Sequence, residues 1–157
     1  MSYTQPPPLT DEETDSLLRE AKIARFCTFN KDGTIHAAPV WYVYQDGRII
    51  VCTPEASRKA RNIRRNKKVT ILLDTSEGEA PPRCAIVYGE AELQDYTSDM
   101  IPELASFSEK YMPKEKAEAY AKGVFKLTKW VKITVKPIRK ASFDYGKDQT
   151  YQSIFPE

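Results

Sequence analysis

Residues 23–53 read IARFCTFNKDGTIHAAPVWYVYQDGRIIVCT, and this stretch decides the fold. Ile23–Phe29, Ile35–Tyr44 and Arg48–Thr53 are rich in β-branched and aromatic residues, the side chains that suit a pleated surface. Asn30-Lys-Asp-Gly33 and Gln45-Asp-Gly47 separate them, and Asp-Gly supplies positive φ at little cost, so each break reads as a hairpin turn. Three consecutive antiparallel strands follow. Pro39 sits inside the second and has no N–H for a ladder, which marks an edge, a bulge or a special local geometry.

Working outward, Val69–Leu73 and Cys84–Leu93 are further strands, the latter with a kink expected at Gly89. Asp74–Pro82 is a loop, and Val131–Val135 is a last strand. Thr10-Asp-Glu-Glu13 fits a capping box that starts a helix running to about Ala21. Ser57 is placed to cap a short helix, Arg58 to about Arg65. Two later helices are expected, about Ser98–Tyr111 and Lys114–Lys122. Five or six strands joined mainly by tight turns, with most helices late, predict a mainly β fold: an antiparallel barrel with appended helices. Alternating strand–helix units are absent, as are GxGxxG and GxxxxGK[ST].

The chain of 157 residues fits one domain, residues 11–157, behind a flexible proline-bearing arm at 1–10. The start MSYTQPPPLT has neither the basic nor the apolar region of a secretory signal, and no apolar run approaches the ~20 residues that a membrane-spanning helix needs. A cytoplasmic protein with no membrane partner is expected. Cys27, Cys52 and Cys84 are few and widely spaced, which excludes a disulfide scaffold and a zinc knuckle. His36 is the single histidine, so no metal site and no acid–base constellation is expected. No catalytic side chain stands out; any redox chemistry has to come from a bound cofactor.

The net charge is only +2, yet seven basic residues lie between Ser57 and Lys68 with no acid among them: Arg58, Lys59, Arg61, Arg64, Arg65, Lys67 and Lys68. Two readings of this run stand. One is a solvated helix face. The other concerns Arg58 and Lys59, which fall in the first helical turn, where the helix dipole disfavours cations unless an anion joins them. Free N–H groups, the Ser57 hydroxyl and two cations make such a helix start a phosphate site. A nucleic-acid role is disfavoured, since no aromatic interleaves the basic residues.

Taken in order, Ala24–Phe29, Asp32-Gly33, His36-Ala-Ala-Pro-Val-Trp41, Val51-Cys-Thr53, Ser57-Arg-Lys-Ala-Arg-Asn-Ile63, Val69–Leu73 and Val87-Tyr-Gly-Glu-Ala91 resemble the pyridoxamine 5′-phosphate oxidase-like, FMN-binding split-barrel family. The match spans about residues 15–95, with a weaker echo at Trp130–Tyr145. The resemblance implies a split β-barrel homodimer with FMN at the interface. By matched position, Arg58 and Lys59 would hold the FMN phosphate, and Thr53 and Ser57 would donate hydroxyl hydrogen bonds to it. Pro39, Val40 and Trp41 would line the isoalloxazine. Cys84 falls near a flavin-contacting position, and Trp130 and Tyr145 would approach from the second subunit. The implied activity is FMN-dependent hydride transfer with a small-molecule substrate or a nicotinamide donor. The alternatives are an F420-dependent reductase and a non-catalytic flavin carrier. The family's basic residue near Trp41 and its C-terminal Arg-x-His-x-Arg pattern are missing, which disfavours vitamin B6 oxidation.

Overall fold

The computed structural model describes residues 5–75 and 81–154. Seven strands form one antiparallel sheet: β1 (Ala24–Phe29), β2 (Ile35–Val40), β3 (Val43–Gln45), β4 (Arg48–Pro54), β5 (Lys68–Asp74), β6 (Arg83–Asp95) and β7 (Trp130–Asp144). The order across the sheet is β2-β1-β5-β6-β7-β4-β3. Its two outermost strands are joined by Trp41 and Tyr42 alone. Three residue steps reach at most about 11 Å, so the sheet must curl until its edges meet. The expected single strand Ile35–Tyr44 is thus broken in two. Its first half pairs with β1 and its second with β4, and the result is a split barrel.

Both turns adopt the backbone that their sequences call for. Gly33, Gly47 and Asp46 all have positive φ, at 86°, 71° and 50°. Pro39 lies opposite Arg25 on β2, which among the described residues pairs with β1 alone. The missing donor therefore interrupts nothing on the open side.

Alternate residues point inward. Phe26, Val40, Tyr42, Ile49, Val51, Ile71, Leu73, Val87, Ile133 and Val135 form the main core. α1 (Asp11–Glu20) lies at one end of the barrel: Leu18 joins the core, and its carbonyl accepts from the Tyr42 hydroxyl at 2.7 Å. The Thr10–Glu13 capping box is formed in both directions. α2 (Arg58–Arg65) lies at the other end, with Ile63 in the core. Asn62, fully buried, donates to Thr28 Oγ1 and Asn30 Oδ1 at 3.0 and 3.1 Å. The described part of the N-terminal arm lies against the end of β7. Pro7 O accepts from the Asp144 amide, Leu9 N donates to Ser142 Oγ, and Leu9 is buried.

α3 (Ile101–Ser108) and α4 (Lys114–Leu127) form a hairpin with its own small apolar cluster. A short 3-10 turn precedes α3 at Ser98–Met100, and α4 runs five residues past the expected Lys122. A four-residue helix, α5 (Gln149–Gln152), follows near the C-terminus. β7 is the main departure from the sequence expectation. It extends to Asp144 rather than stopping at Val135, because the long β6 offers a partner along its whole length. The expected loop at Asp74–Pro82 falls largely on residues 76–80, outside the described residues.

The β6–β7 register shifts between Tyr88 and Gly89, which is the kink expected there. A Cβ on Gly89 would stand 2.6 Å from Lys136 O and 2.7 Å from Val135 Cγ1. Gly89→Ala is therefore expected to destabilise the fold by about 1–3 kcal/mol, the usual cost of overpacking. A thermal melt reads this directly, and an unchanged midpoint would show that the neighbouring strand yields freely.

Candidate functional site

The split follows from the pairing. β3 covers the first part of β4, Arg48–Ile50, and among the described residues Val51–Pro54 have no ladder partner on that side. Among the described residues β2 likewise has one free side. Two free edges thus diverge from the Trp41–Tyr42 crossing. Their backbone groups stay available for a ligand, whereas a closed barrel would have spent them.

The start of α2 lies beyond the far end of β4, where Lys59 meets Thr53 and Ser57 caps the helix. Ser57 caps the helix, its Oγ accepting from the Ala60 amide at 3.3 Å. The first turn carries no acid. Lys59 Nζ donates to Thr53 Oγ1 at 3.2 Å, and Thr53 is buried. Burial lowers the Lys59 pKa, and no carboxylate offsets it among the described residues. A partly desolvated cation with a single hydroxyl partner, beside free helix amides, is chemically suited to a phosphate. Arg58 lies over the neighbouring β1–β2 turn and lines an open recess with Asn30, Lys31, Asp32 and His36. By contrast, Arg64 is paired with Glu55 at 3.2 Å on the exposed side of the helix. The basic run therefore divides into a phosphate-suited start and a partly paired outer face.

Pro39 on β2 and Trp41 just past its end are exposed, while Val40 points into the core. Ile35, Ala37, Pro39 and Trp41 make an exposed apolar row, with Ile35 at 64% and Trp41 at 44%. From His36, beside Arg58, to Trp41 is five residues, or ~17 Å of extended strand. That length suits a ligand with a phosphate at one end and a ring system at the other.

Trp130, opposite Pro54 at the start of β7, lines an aromatic cleft with Trp41. Cys84 is not part of this assembly. It is buried on β6, opposite Asp74 and Phe143. β6 stands three strands from β2, ~14 Å by strand spacing. Burial pushes the Cys84 thiol up to about 11, so it is an inert thiol within one subunit. Tyr145 packs edge-on against Phe143 at 5.7 Å, near the end of β7.

The sequence reading missed Tyr111, whose ring stacks on Trp41 with centroids 4.6 Å apart. It missed Tyr120, tilted against Trp41 at 6.0 Å, and Cys52, which lines the cleft from β4. It also missed Asn62, which braces α2 against β1 and accepts from Arg65 at 2.5 Å. Parity along the strands already places Trp41 and Cys52 outside the barrel, but nothing in the sequence ties the helical hairpin to them. Among the described residues no three His, Cys, Asp or Glu side chains gather as metal ligands. No helix there is long and apolar enough to cross a membrane.

A curled antiparallel barrel split beside a basic helix start defines the class, and comparison with known proteins identifies the family. The model of the pyridoxamine 5′-phosphate oxidase family matches residues 10–141, and the chain belongs to that family. Several solved structures share the fold. A conserved hypothetical protein, Rv2991, from Mycobacterium tuberculosis is 21% identical, with a TM-score of 0.76 over 99% of this chain and 95% of that one. HutZ, a heme storage protein from Vibrio cholerae, is 18% identical, with a TM-score of 0.67 over 85% and 93%. An F420 reductase is 20% identical, with a TM-score of 0.60 over 80% and 94%. No curated protein matches the sequence.

Proposed function

We propose that the chain is an FMN-dependent oxidoreductase that works as a homodimer. The carrying observation is the Thr53–Lys59 pair at the start of α2, a half-buried cation with no carboxylate partner among the described residues. Lys59, Arg58, Ser57 and Thr53 hold the phosphate. The free edge of β2 around Pro39, Val40 and Trp41 offers backbone groups to the polar edge of the ring. Bound FMN supplies hydride transfer; the chain binds and orients the cofactor and keeps water from it. The substrate is a small molecule, with a nicotinamide as a candidate donor.

The exposed row Ile35, Ala37, Pro39 and Trp41, with Phe29 at 40% exposure beside it, supports a second copy as partner. A contiguous apolar face of this kind is what an interface would cover. Trp130 and Tyr145 are then the residues that the second copy would bring to the flavin. A cytoplasmic site of action accords with three cysteines that form no disulfide, Cys27, Cys52 and Cys84.

F420 is the second cofactor reading, favoured by the shared fold of an F420 reductase. The fold shared with a heme storage protein supports a non-catalytic carrier as a third. Titrating ligand-free protein with FMN and with F420, followed by absorption and by mass of the retained cofactor, decides between the first two. Saturable FMN uptake with flavin bands is expected, together with flavin bleaching by a reduced nicotinamide. Failure to retain FMN would overturn the assignment. FMN binding without reduction by any donor would leave the carrier.

A further inference from the structure

The open recess beside the start of α2 is separate from the Thr53–Lys59 pair, neither member of which lines it. The β1–β2 turn forms one wall through Asn30, Lys31 and Asp32; β2 adds His36 and α2 adds Arg58. The recess holds about 660 Å³ and is open to solvent. A phosphate, with five heavy atoms, fills roughly 150 Å³ at water's ~30 Å³ per atom. The recess therefore has the size of a small-molecule site rather than of a single anion. By strand alternation His36 faces away from Ile35, Ala37 and Pro39, so the recess is not part of the exposed apolar row.

The polar groups in the walls divide into spent and free. Asn30 is spent: its Nδ2 donates to Thr34 Oγ1 at 3.0 Å and its Oδ1 accepts from Asn62 at 3.1 Å. Asp32 is half spent, its Oδ1 accepting from the Thr34 hydroxyl and amide at 2.6 and 3.0 Å. Those bonds, with a smaller pull from Arg58, hold its carboxyl below the usual range. Asp32 Oδ2 has no hydrogen bond among the described residues, and neither do the side chains of Lys31, His36 and Arg58. Two cations against one carboxylate leave the walls net positive, with one carboxylate oxygen still able to accept. That combination suits a ligand carrying both an anionic group and hydroxyls.

We propose that this recess holds the second nucleotide half of a flavin dinucleotide. Lys31 and Arg58 take its second phosphate, one as a point charge and the other as a planar fork. Asp32 Oδ2 accepts from a sugar hydroxyl. Arg58, already assigned to the first phosphate, borders both positions, whereas Lys31 serves the recess alone. This inference rests on the flavin reading and extends it, because FMN ends at its phosphate and leaves the recess unfilled. The hydride chemistry is the same with either flavin; what the recess sets is the choice between them.

FMN and FAD test this, being the same flavin without and with the second nucleotide. Each is titrated calorimetrically into the ligand-free wild-type chain, Lys31→Ala and Lys31→Glu. Lys31 is exposed on a turn, so both variants are expected to fold, which thermal melts verify. Wild type is expected to bind FAD ~3–10-fold more tightly than FMN, the usual worth of one or two added hydrogen bonds. In Lys31→Ala that ratio should shrink while FMN affinity holds. In Lys31→Glu, which turns the charge against a phosphate, FAD should lose its advantage altogether. Equal affinities in wild type, or a ratio unchanged in Lys31→Glu, would overturn the proposal and leave the flavin reading standing. Retention of neither flavin would overturn both.

Discussion

Replacing Lys59 with alanine is expected to weaken FMN binding by roughly 10–100-fold, the worth of a hydrogen bond to a charged group in partial burial. The same change should leave the ligand-free protein as stable as before, or slightly more so. The two effects have different causes. In the ligand-free chain Lys59 is a half-buried cation whose partner is the neutral Thr53 hydroxyl, and burial lowers its pKa. A lysine with a depressed folded pKa binds fewer protons folded than unfolded between the two values. Its removal thus relieves a cost at neutral pH, one that wild type sheds as pH rises through the folded pKa. A bound phosphate supplies the missing charge and converts that cost into affinity. Arg64→Ala is the control, since Arg64 is exposed and already paired with Glu55. It should move FMN affinity little. Equal losses in both variants would mean a diffuse basic field rather than a site at the helix start. An unchanged affinity in Lys59→Ala would remove the phosphate assignment and leave the fold untouched. Fluorescence titration of FMN reads affinity, and thermal melts of the ligand-free variants read stability.

What was legible in the sequence is what local chemistry decides. Asp32-Gly33 and Asp46-Gly47 prescribe their turns because positive φ is a property of a residue and its neighbour. The Thr10–Glu13 box and the Ser57 cap are likewise settled within four residues. The cap-and-cation pattern of the α2 start was readable for the same reason, since Ser57, Arg58 and Lys59 are consecutive; Thr53 entered only through the family resemblance. Long-range facts were not readable. β7 continues to Asp144 only because β6 runs beside it, and residues 136–144 carry no clear alternation of their own. The break at Trp41–Tyr42 is forced by closure of the sheet, which is a property of all the strands together. Cys84 fell beside the flavin only through the family's motif order. Within one chain its distance from β2 is set by β1 and β5 lying between them. The aromatic cleft was invisible because Tyr111 and Tyr120 lie about 70 and 80 residues beyond Trp41, and the helical hairpin that carries them reads equally well as packed anywhere on the barrel.

Tyr111→Phe should destabilise the protein by about 2–4 kcal/mol, although it removes a single oxygen. That oxygen accepts from the Tyr42 amide and donates to the Tyr42 carbonyl. Tyr42 stands where β2 ends and β3 has not begun, so no ladder supplies those bonds. Phenylalanine leaves an amide and a carbonyl of a buried residue unpaired, at ~1–3 kcal/mol for each group that water does not reach. For a chain of this length the melting midpoint should fall by roughly 5–10 °C. The phenyl ring still stacks on Trp41, so loss of aromatic packing does not account for the change. Tyr111→Leu, which removes the ring as well, should cost more and free Trp41, with a red-shifted indole emission as its mark. Tyr120→Phe is the matching control on the same cleft, because its hydroxyl holds no backbone group of the crossing; it should shift the midpoint by a degree or two at most. Equal small shifts in Tyr111→Phe and Tyr120→Phe would mean that water serves Tyr42 as well as the hydroxyl does. A large shift confined to Tyr111→Phe would show that the helical hairpin, appended to the barrel in sequence, latches the strand crossing at which the barrel splits.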